Sequence, residues 1–520
     1  MPSRQASDLS VRQTWHGQWW VPGKEDAAAS GTLVYDPDEG IHLQLTSAWR
    51  LNPAPDSNGY APASPQTWDV IHGEAFGVHL TLLDTFAENY KLNLMNADPL
   101  QSGSTKIRVN RVVLGAWIHS SSAPVFSSVY VGLENLLGWS GRTSVRSSVS
   151  YSPGGRPKLG LNNFDVEPLE AVVGSSTYSL ESFQVSSGFK HNNSKRRHWI
   201  EEREQITIRD DDGLSLDDCI SKSTSMRDLM TLASLTVSPI TSLTATIVMA
   251  RNSAEPELNA DGLEAIAPDL TLPTTTAVSI FMGQPGRFDE TRGPTRQEEF
   301  LFSSADIDFA ELIPRWLKLA ESLHAPVALA IGRQHQKDVY LELQTLAATG
   351  TLESLHRSLY PKQKTMSNAE FRRIEKAISE VIPADRKTWW SDRKPHNEPT
   401  LRERLHELFH SVSPNLEQIV GPLEQWAKAA SNTRNKLAHE GTSHLVSSEQ
   451  MRAVIKSCDS VAFITLAMLI GIDPESIIAR HYQVRQLADA AYFTKVFRLF
   501  GHPVGGHGVR PPAARSMRSR

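Results

Sequence analysis

The sequence predicts an α+β multidomain chain, with a β-rich N-terminal domain followed by an all-α helical bundle. Three observations predict it. Apolar residues alternate with a period of two through much of residues 1–300. Clusters of Gly, Ser, Asn and Pro punctuate those runs, as turns between strands require. From about residue 305 the apolar spacing becomes helical and no strand pattern returns. The 520 residues are 40% hydrophobic and 21% charged, a composition that packs into globular domains. The expected divisions are a β-rich domain over 1–300, a helical bundle over 305–500 and a basic, disordered tail over 501–520.

Each element has a local reason. GTLVYDPDEGIHLQL (31–45) predicts a hairpin. DPDEG is the turn, and Ile41, Leu43 and Leu45 alternate with His42, Gln44 and Thr46. KIRVNRVVLGAWI (106–118) and WIEEREQITIRD (199–210) read as further strands. One helix interrupts this half, at 215–235, capped by Ser215 with Asp217 and Asp218 in its first turn. In the second half, Phe309, Leu312, Ile313, Trp316, Leu317 and Ala320 form one stripe. Ser367 and Glu370 read as a capping box, followed by Phe371, Ile374, Ile378, Val381 and Ile382 at helical spacing. A long helix from about 447 buries Met451, Val454, Ile455, Cys458, Val461 and Ala462. Six or seven helices are expected in this bundle.

The net charge of −5 excludes whole-chain attraction to nucleic acid, so any such contact needs a local patch. KHNNSKRRHW (190–199) is the best basic stretch with an aromatic neighbour. Its Lys195, Arg196 and Arg197 suit either RNA contact or a solvated hairpin loop. GVRPPAARSMRSR (508–520) carries four arginines and no acid. The N-terminal MPSRQASDLSVRQTW lacks the apolar core of a secretory signal. The apolar run VAFITLAMLIGI (461–472) is too short for a bilayer and reads as a buried helix face. Two distant cysteines, Cys219 and Cys458, give no disulfide framework and suit a reducing cytosol. A cytoplasmic protein without a membrane partner is expected.

Two histidine motifs compete for the chemistry. HELFH (406–410) would place His406 and His410 on one helix face for zinc, with Glu407 activating a bound water. The same stretch gives a sound core stripe of Leu401, Leu405, Leu408, Phe409 and Val412. Context disfavours zinc. The approach LRER is charged, no HxxGxxH follows, and Glu417, Glu424 and Glu440 compete equally as a third ligand. No metal or other cofactor is expected.

The second motif is SNTRNKLAHEGTS (431–443), on a helix expected to begin at Pro422 and stop at Gly441. Leu423, Trp426, Ala427, Ala430, Leu437 and Ala438 make its apolar stripe, and Arg434 falls within it. An arginine on a core-facing line must be paired or must face a cavity. His439 lies about 140° around from Arg434 on a regular helix, stacked instead after Asn435. Spacing alone leaves two readings open: a joint site, or a carboxylate-paired arginine beside a histidine that suits the helix C-terminus.

Arg434-Asn435-Lys436-Leu437-Ala438-His439 resembles the R-x4-6-H motif of the HEPN family, late in a helical bundle as in that family. WHGQWWVPGKEDAAASGTLVYDPDEGIHLQL (15–45) resembles the start of ApeA-type proteins, in which a β-rich domain precedes a HEPN domain. WDVIHGEAFGVHLTLLD (68–84), FSSVYVGLENLLGWSG (126–141) and YLELQTLAATGTLESLHR (340–357) are similar to later segments of the same proteins, in the same order.

The resemblance implies a metal-independent endoribonuclease of an abortive-infection antiphage system. His439 would act as acid or base and Arg434 as phosphate stabiliser. Asn435 would orient the histidine or hold a phosphate oxygen. Glu353, in TLESLHR, occupies the place of an acidic residue in an earlier helix of the family and would pair with Arg434 or His439. The implied partners are RNA (tRNA being one candidate class), a phage-derived trigger acting through the N-terminal domain, and a second copy of the chain joined through the HEPN bundle. The competing classes are an inactive HEPN binding or dimerisation module and the zinc hydrolase at 406–410.

Overall fold

The computed structural model describes residues 7–47, 67–91, 104–155, 157–191, 196–249, 274–283, 286, 288, 293–336, 339–440 and 446–495. The chain divides into two compact units, Met1–Lys318 and Leu319–Arg520. The predicted basic tail at 501–520 and Lys195 lie outside the described residues.

The first unit opens with β1 (Gln13–Trp20), β2 (Ala29–Asp36), β3 (Gly40–Leu45), β4 (Thr67–Ala75), β5 (Val78–Lys91) and β6 (Ser104–Leu114). These six antiparallel strands close into a barrel in the order β6-β3-β2-β1-β4-β5, with β5 returning to β6. Alternation fills the interior: Trp19, Leu33, Tyr35, Leu43, Leu45, Ile71, Leu80, Leu82 and Ile107 are all fully buried. The β2–β3 turn forms as the sequence predicts. The Asp36 carboxylate accepts from the backbone of Asp38 and Glu39, and Gly40 takes a φ of 91°. The strand expected over 106–118 stops at Leu114. Gly115 turns it with a φ of 116°, and residues 116–118 cross the outside of the barrel. There Thr81 Oγ1 donates to Ala116 O and accepts from Ile118 N.

Inside the barrel Trp19 lies opposite Gly73. A Cβ at Gly73 would stand 2.2 Å from the indole. Gly73→Ala is therefore expected to cost about 1–3 kcal/mol through overpacking, read as a lower urea midpoint.

Beyond the barrel come β7 (Phe126–Leu133), α1 (Leu136–Ser140), β8 (Val145–Tyr151), β9 (Pro157–Asn163), β10 (Leu169–Val173), β11 (Ser176–His191), β12 (Arg196–Leu214), α2 (Leu216–Ser234), β13 (Ile240–Met249) and β14 (Thr274–Met282). An antiparallel sheet of order β10-β11-β12-β7-β13-β14 continues from the β3 edge of β6, where residues 111–114 pair with β14. β8 and β9 form a separate hairpin. α2 packs on β7, β12 and β13, and its Ser215–Asp218 capping box matches the predicted start.

α3 (Phe309–Ser322) has Phe309, Leu312, Ile313 and Trp316 buried as predicted, but these residues belong to the first unit, where Trp316 Nε1 donates to Ser225 O of α2 at 2.9 Å. There follow α4 (His324–Gly332), α5 (Leu341–Leu359), α6 (Asn368–Val381), α7 (Lys387–Arg393), α8 (Leu401–Val412), α9 (Glu417–Val420), α10 (Leu423–Asn435), α11 (Ser448–Leu469), α12 (Pro474–Ala479) and α13 (Arg485–Phe493). Eleven helices from Phe309 onward, among the described residues, exceed the six or seven expected. Leu323 alone separates α3 from α4, and α9, with four residues, and α12, with six, are too short to show a helical period. α11 is the bundle's axis, in contact with α4, α5, α8, α9, α10, α12 and α13. All six residues of its predicted stripe are buried. Among the described residues no helix is long and apolar enough to cross a membrane.

α6 departs from expectation. Ser367 caps it by accepting from Glu370 N, yet none of its residues is fully buried. Its apolar stripe is amphipathic without being core.

Candidate active site

α10 carries the arginine–histidine motif. Gly421, with a φ of 78°, turns the chain out of α9, and Pro422 precedes the first residue of α10. Trp426, Ala427, Ala429, Ala430 and Thr433 form its buried face. Two hydrogen bonds pin that face to α11. Trp426 Nε1 donates to Ser457 Oγ at 3.0 Å, and Gln450 Nε2 donates to Thr433 Oγ1 at 3.0 Å. The second bond fixes the residue immediately before Arg434. No local pattern announces it, because Gln450 stands 17 residues further along the chain.

Arg434 follows the line of Ala427 and Ala430 into the last α turn and is half-buried. Its Nη1 donates to Asn435 Oδ1 at 3.3 Å, and it has no carboxylate partner among the described residues. The helix then widens into a π turn over Lys436–Glu440, which contains His439. A π turn takes more residues per revolution than an α turn. It therefore narrows the 140° gap expected between positions 434 and 439 on a regular helix. The same change of phase leaves Leu437 half-buried and Ala438 exposed, although both belong to the predicted stripe. α5 packs against both α10 and the π turn.

Glu353 on α5 pairs with Arg357, one turn on, at 3.2 Å, where the resemblance led us to expect Arg434 or His439. That pairing opens a network centred on His356, a residue sequence reasoning passed over. Arg357 Nη1 and Arg404 Nη2 both donate to Glu398 Oε2, at 3.0 and 3.3 Å. Arg404 Nε donates to Pro399 O, and Nη1 lies 3.2 Å from His356 Nδ1. A guanidinium can only donate, so Nδ1 accepts and the proton of His356 sits on Nε2. Nε2 donates to Glu407 Oε2 at 2.5 Å, and Gln363 Nε2 donates to Glu407 Oε1 at 2.8 Å. Burial pushes the fully enclosed His356 below its ordinary pKa, against the pull of Glu407. Burial pushes the Glu407 carboxyl up, but the bonds from His356 and Gln363 outweigh it and hold it below its usual range.

HELFH is thereby accounted for as scaffold. Glu407 belongs to the His356 network, His406 faces Glu424 at 3.3 Å, and His410 is exposed against the Phe409 ring. Leu405, Leu408, Phe409 and Val412 are buried. No group of three or more His, Cys, Asp or Glu side chains among the described residues could hold a metal ion. Arg196 and Arg197 begin β12, paired with His191 and Lys190 at the end of the β11–β12 hairpin. Cys219 and Cys458 are both buried, and burial pushes the Cys219 thiol up to about 12.

A β-rich domain containing a barrel, followed by a helical bundle with an R-x4-H motif near the end of one helix, is the architecture of a HEPN-bearing protein. Residues 14–316 match the ApeA N-terminal domain 1 family, and residues 346–476 match the Apea-like HEPN family. The chain belongs to the ApeA family and has the arrangement of an ApeA-like HEPN defence protein. No curated protein and no solved structure matches it.

Proposed function

We propose that this chain is a metal-independent HEPN endoribonuclease of an abortive-infection antiphage system, acting in the cytoplasm. The observation that carries the reading is Arg434. It stands half-buried at the end of α10 without a carboxylate among the described residues, five positions before the His439 of a π turn. Both positions lie inside the span that matches the HEPN family. A structural arginine in such a place would have a carboxylate to neutralise it.

In the proposed reaction the 2′-hydroxyl oxygen attacks the adjacent phosphorus. The bond from phosphorus to the 5′ oxygen breaks, leaving a 2′,3′-cyclic phosphate and a 5′-hydroxyl. His439 moves the proton, and Arg434 stabilises the charge that builds on the phosphate oxygens. Asn435, already bonded to Arg434, holds the guanidinium or a phosphate oxygen. DNA lacks the nucleophile, so the chemistry itself selects RNA. Two copies of the chain, joined through their bundles, would supply two such motifs to one cleft. The N-terminal domain would restrain the nuclease until a phage component binds.

The test is cleavage of total cellular RNA by purified protein, with and without EDTA, and with phage lysate as a source of trigger. Cleavage that survives EDTA and disappears in both Arg434→Ala and His439→Ala supports the proposal. Cleavage lost with EDTA refutes it in favour of a metal enzyme. Absence of cleavage under all conditions favours an inactive HEPN module. Because HELFH is scaffold, His410→Ala is expected to leave the cleavage rate within about twofold of wild type and stability within about 0.5 kcal/mol.

A further inference from the structure

α6 and α7 form an arm whose base is clasped by Asn397. Its side chain accepts from Met366 N at 3.1 Å and donates to Met366 O at 2.9 Å. Neither helix has a fully buried residue. The chain carries a net charge of −5, yet residues 361–400 hold nine Lys or Arg against six Asp or Glu. Four of those cations crowd into RKTWWSDRK (386–394), which has a single acid.

The two tryptophans of that stretch have different tasks. Trp390 and Lys394, one turn apart, face α6: Trp390 Nε1 donates to Ser379 Oγ at 3.1 Å, and Lys394 Nζ meets Glu375 at 2.8 Å. The neighbouring face carries Arg386, Trp389 and Arg393, again at three- and four-residue spacing. Trp389 is 49% exposed, and the Arg393 guanidinium lies 5.7 Å from its ring centroid. Arg386 is 68% exposed, its Nε 3.6 Å from the equally open Asp385 carboxylate, a surface pair that a phosphate can displace. An open indole flanked by cations along one helix face matches what single-stranded nucleic acid needs: a surface for a base to stack on and positive charge for the phosphates on either side.

We propose that the Arg386–Trp389–Arg393 face of this arm binds single-stranded RNA and presents it to the nuclease. The proposal rests on the ribonuclease reading for the identity of the nucleic acid. Trp389 stacks on a base while Arg386 and Arg393 contact the adjoining phosphates. Trp390 and Lys394 hold α7 in place and do not touch RNA.

The experiment uses full-length protein carrying Arg434→Ala, so that a fluorescent single-stranded oligoribonucleotide stays intact during anisotropy titrations. Adding Trp389→Ala is expected to weaken binding about tenfold, with Trp389→Phe restoring most of it because a ring still stacks. Arg386→Gln is expected to lower the salt slope by roughly 0.7, one phosphate contact on a single strand. Unchanged thermal melting establishes that the exposed substitutions leave the fold intact. The proposal is overturned if the parent protein does not bind the oligonucleotide, or if Trp389→Ala leaves its affinity unaltered. It is also overturned if that variant changes only self-association in sedimentation, which makes the arm a protein interface. Cleavage assays with Arg434 restored separate the two readings. Weakened binding without cleavage by any version leaves the arm and removes the nuclease. Cleavage with affinity indifferent to Trp389 does the reverse.

Discussion

Arg434→Ala is expected to slow RNA cleavage by about 10²–10³-fold, the usual loss when one donor to a developing oxyanion is removed. Arg434→Lys is expected to recover little of it. Lysine keeps the charge, but an ammonium cannot meet two phosphate oxygens with a planar pair of N–H groups. It also cannot keep the guanidinium's bond to Asn435 Oδ1 in the same geometry. His439→Ala should cost about 10²–10⁴-fold and remove one limb of the pH–rate profile, since a proton carrier is lost. The two losses should not add, because a displacement at phosphorus needs both groups in one step. Single-turnover rates on a labelled RNA measure all four variants, the double included. Equal rates for Arg434→Lys and wild type would mean that a point charge suffices, which contradicts the bidentate role.

Legibility differed between the halves for physical reasons. The β2–β3 hairpin, the cap of α2 and the stripe of α11 were readable because turn chemistry, caps and periodicity are local. Barrel closure was not, since β5 returns to β6 through pairings that no local pattern encodes. α6 shows the converse failure. Its spacing is that of a core helix, but amphipathicity reports only that a face wants cover, not that the same chain supplies it. At the candidate site the motif itself was legible. The π turn was not, because it changes the phase of the helix without any residue that announces it. His356 was missed because a lone histidine in a helix carries no signal until Arg404 and Glu407 arrive from α8.

That network carries the largest stability effect expected in the helical unit. Arg404 is 4% exposed and makes three separate contacts, to Pro399 O, His356 Nδ1 and Glu398. Arg404→Ala strands a buried imidazole acceptor and a carbonyl together, and is expected to cost about 3 kcal/mol. Urea unfolding followed by helical circular dichroism measures it. A loss under about 1 kcal/mol would mean that water replaces the guanidinium at no great cost. The network also dictates a pH dependence. In the unfolded chain His356 titrates near its ordinary value of about 6.5, whereas in the folded chain it is lower, because burial and the facing Arg404 and Arg357 oppose a second proton. Between the two values the unfolded chain binds more protons, so stability rises with pH there. The contribution is fully present above about 6.5 and is lost as the pH falls from there toward the folded value. Glu407, also held low, adds a loss of the same sign below about 4.5, its ordinary value. His72 in the barrel is likewise depressed by burial and contributes its own slope. The informative quantity is therefore the difference between wild type and His356→Gln, which removes one titrating group while keeping a polar side chain between Arg404 and Glu407. The wild-type slope below pH 6.5 should exceed the variant's by up to about 1.4 kcal/mol per pH unit, the value for one proton. Identical slopes would show that His356 keeps its unfolded pKa despite complete burial.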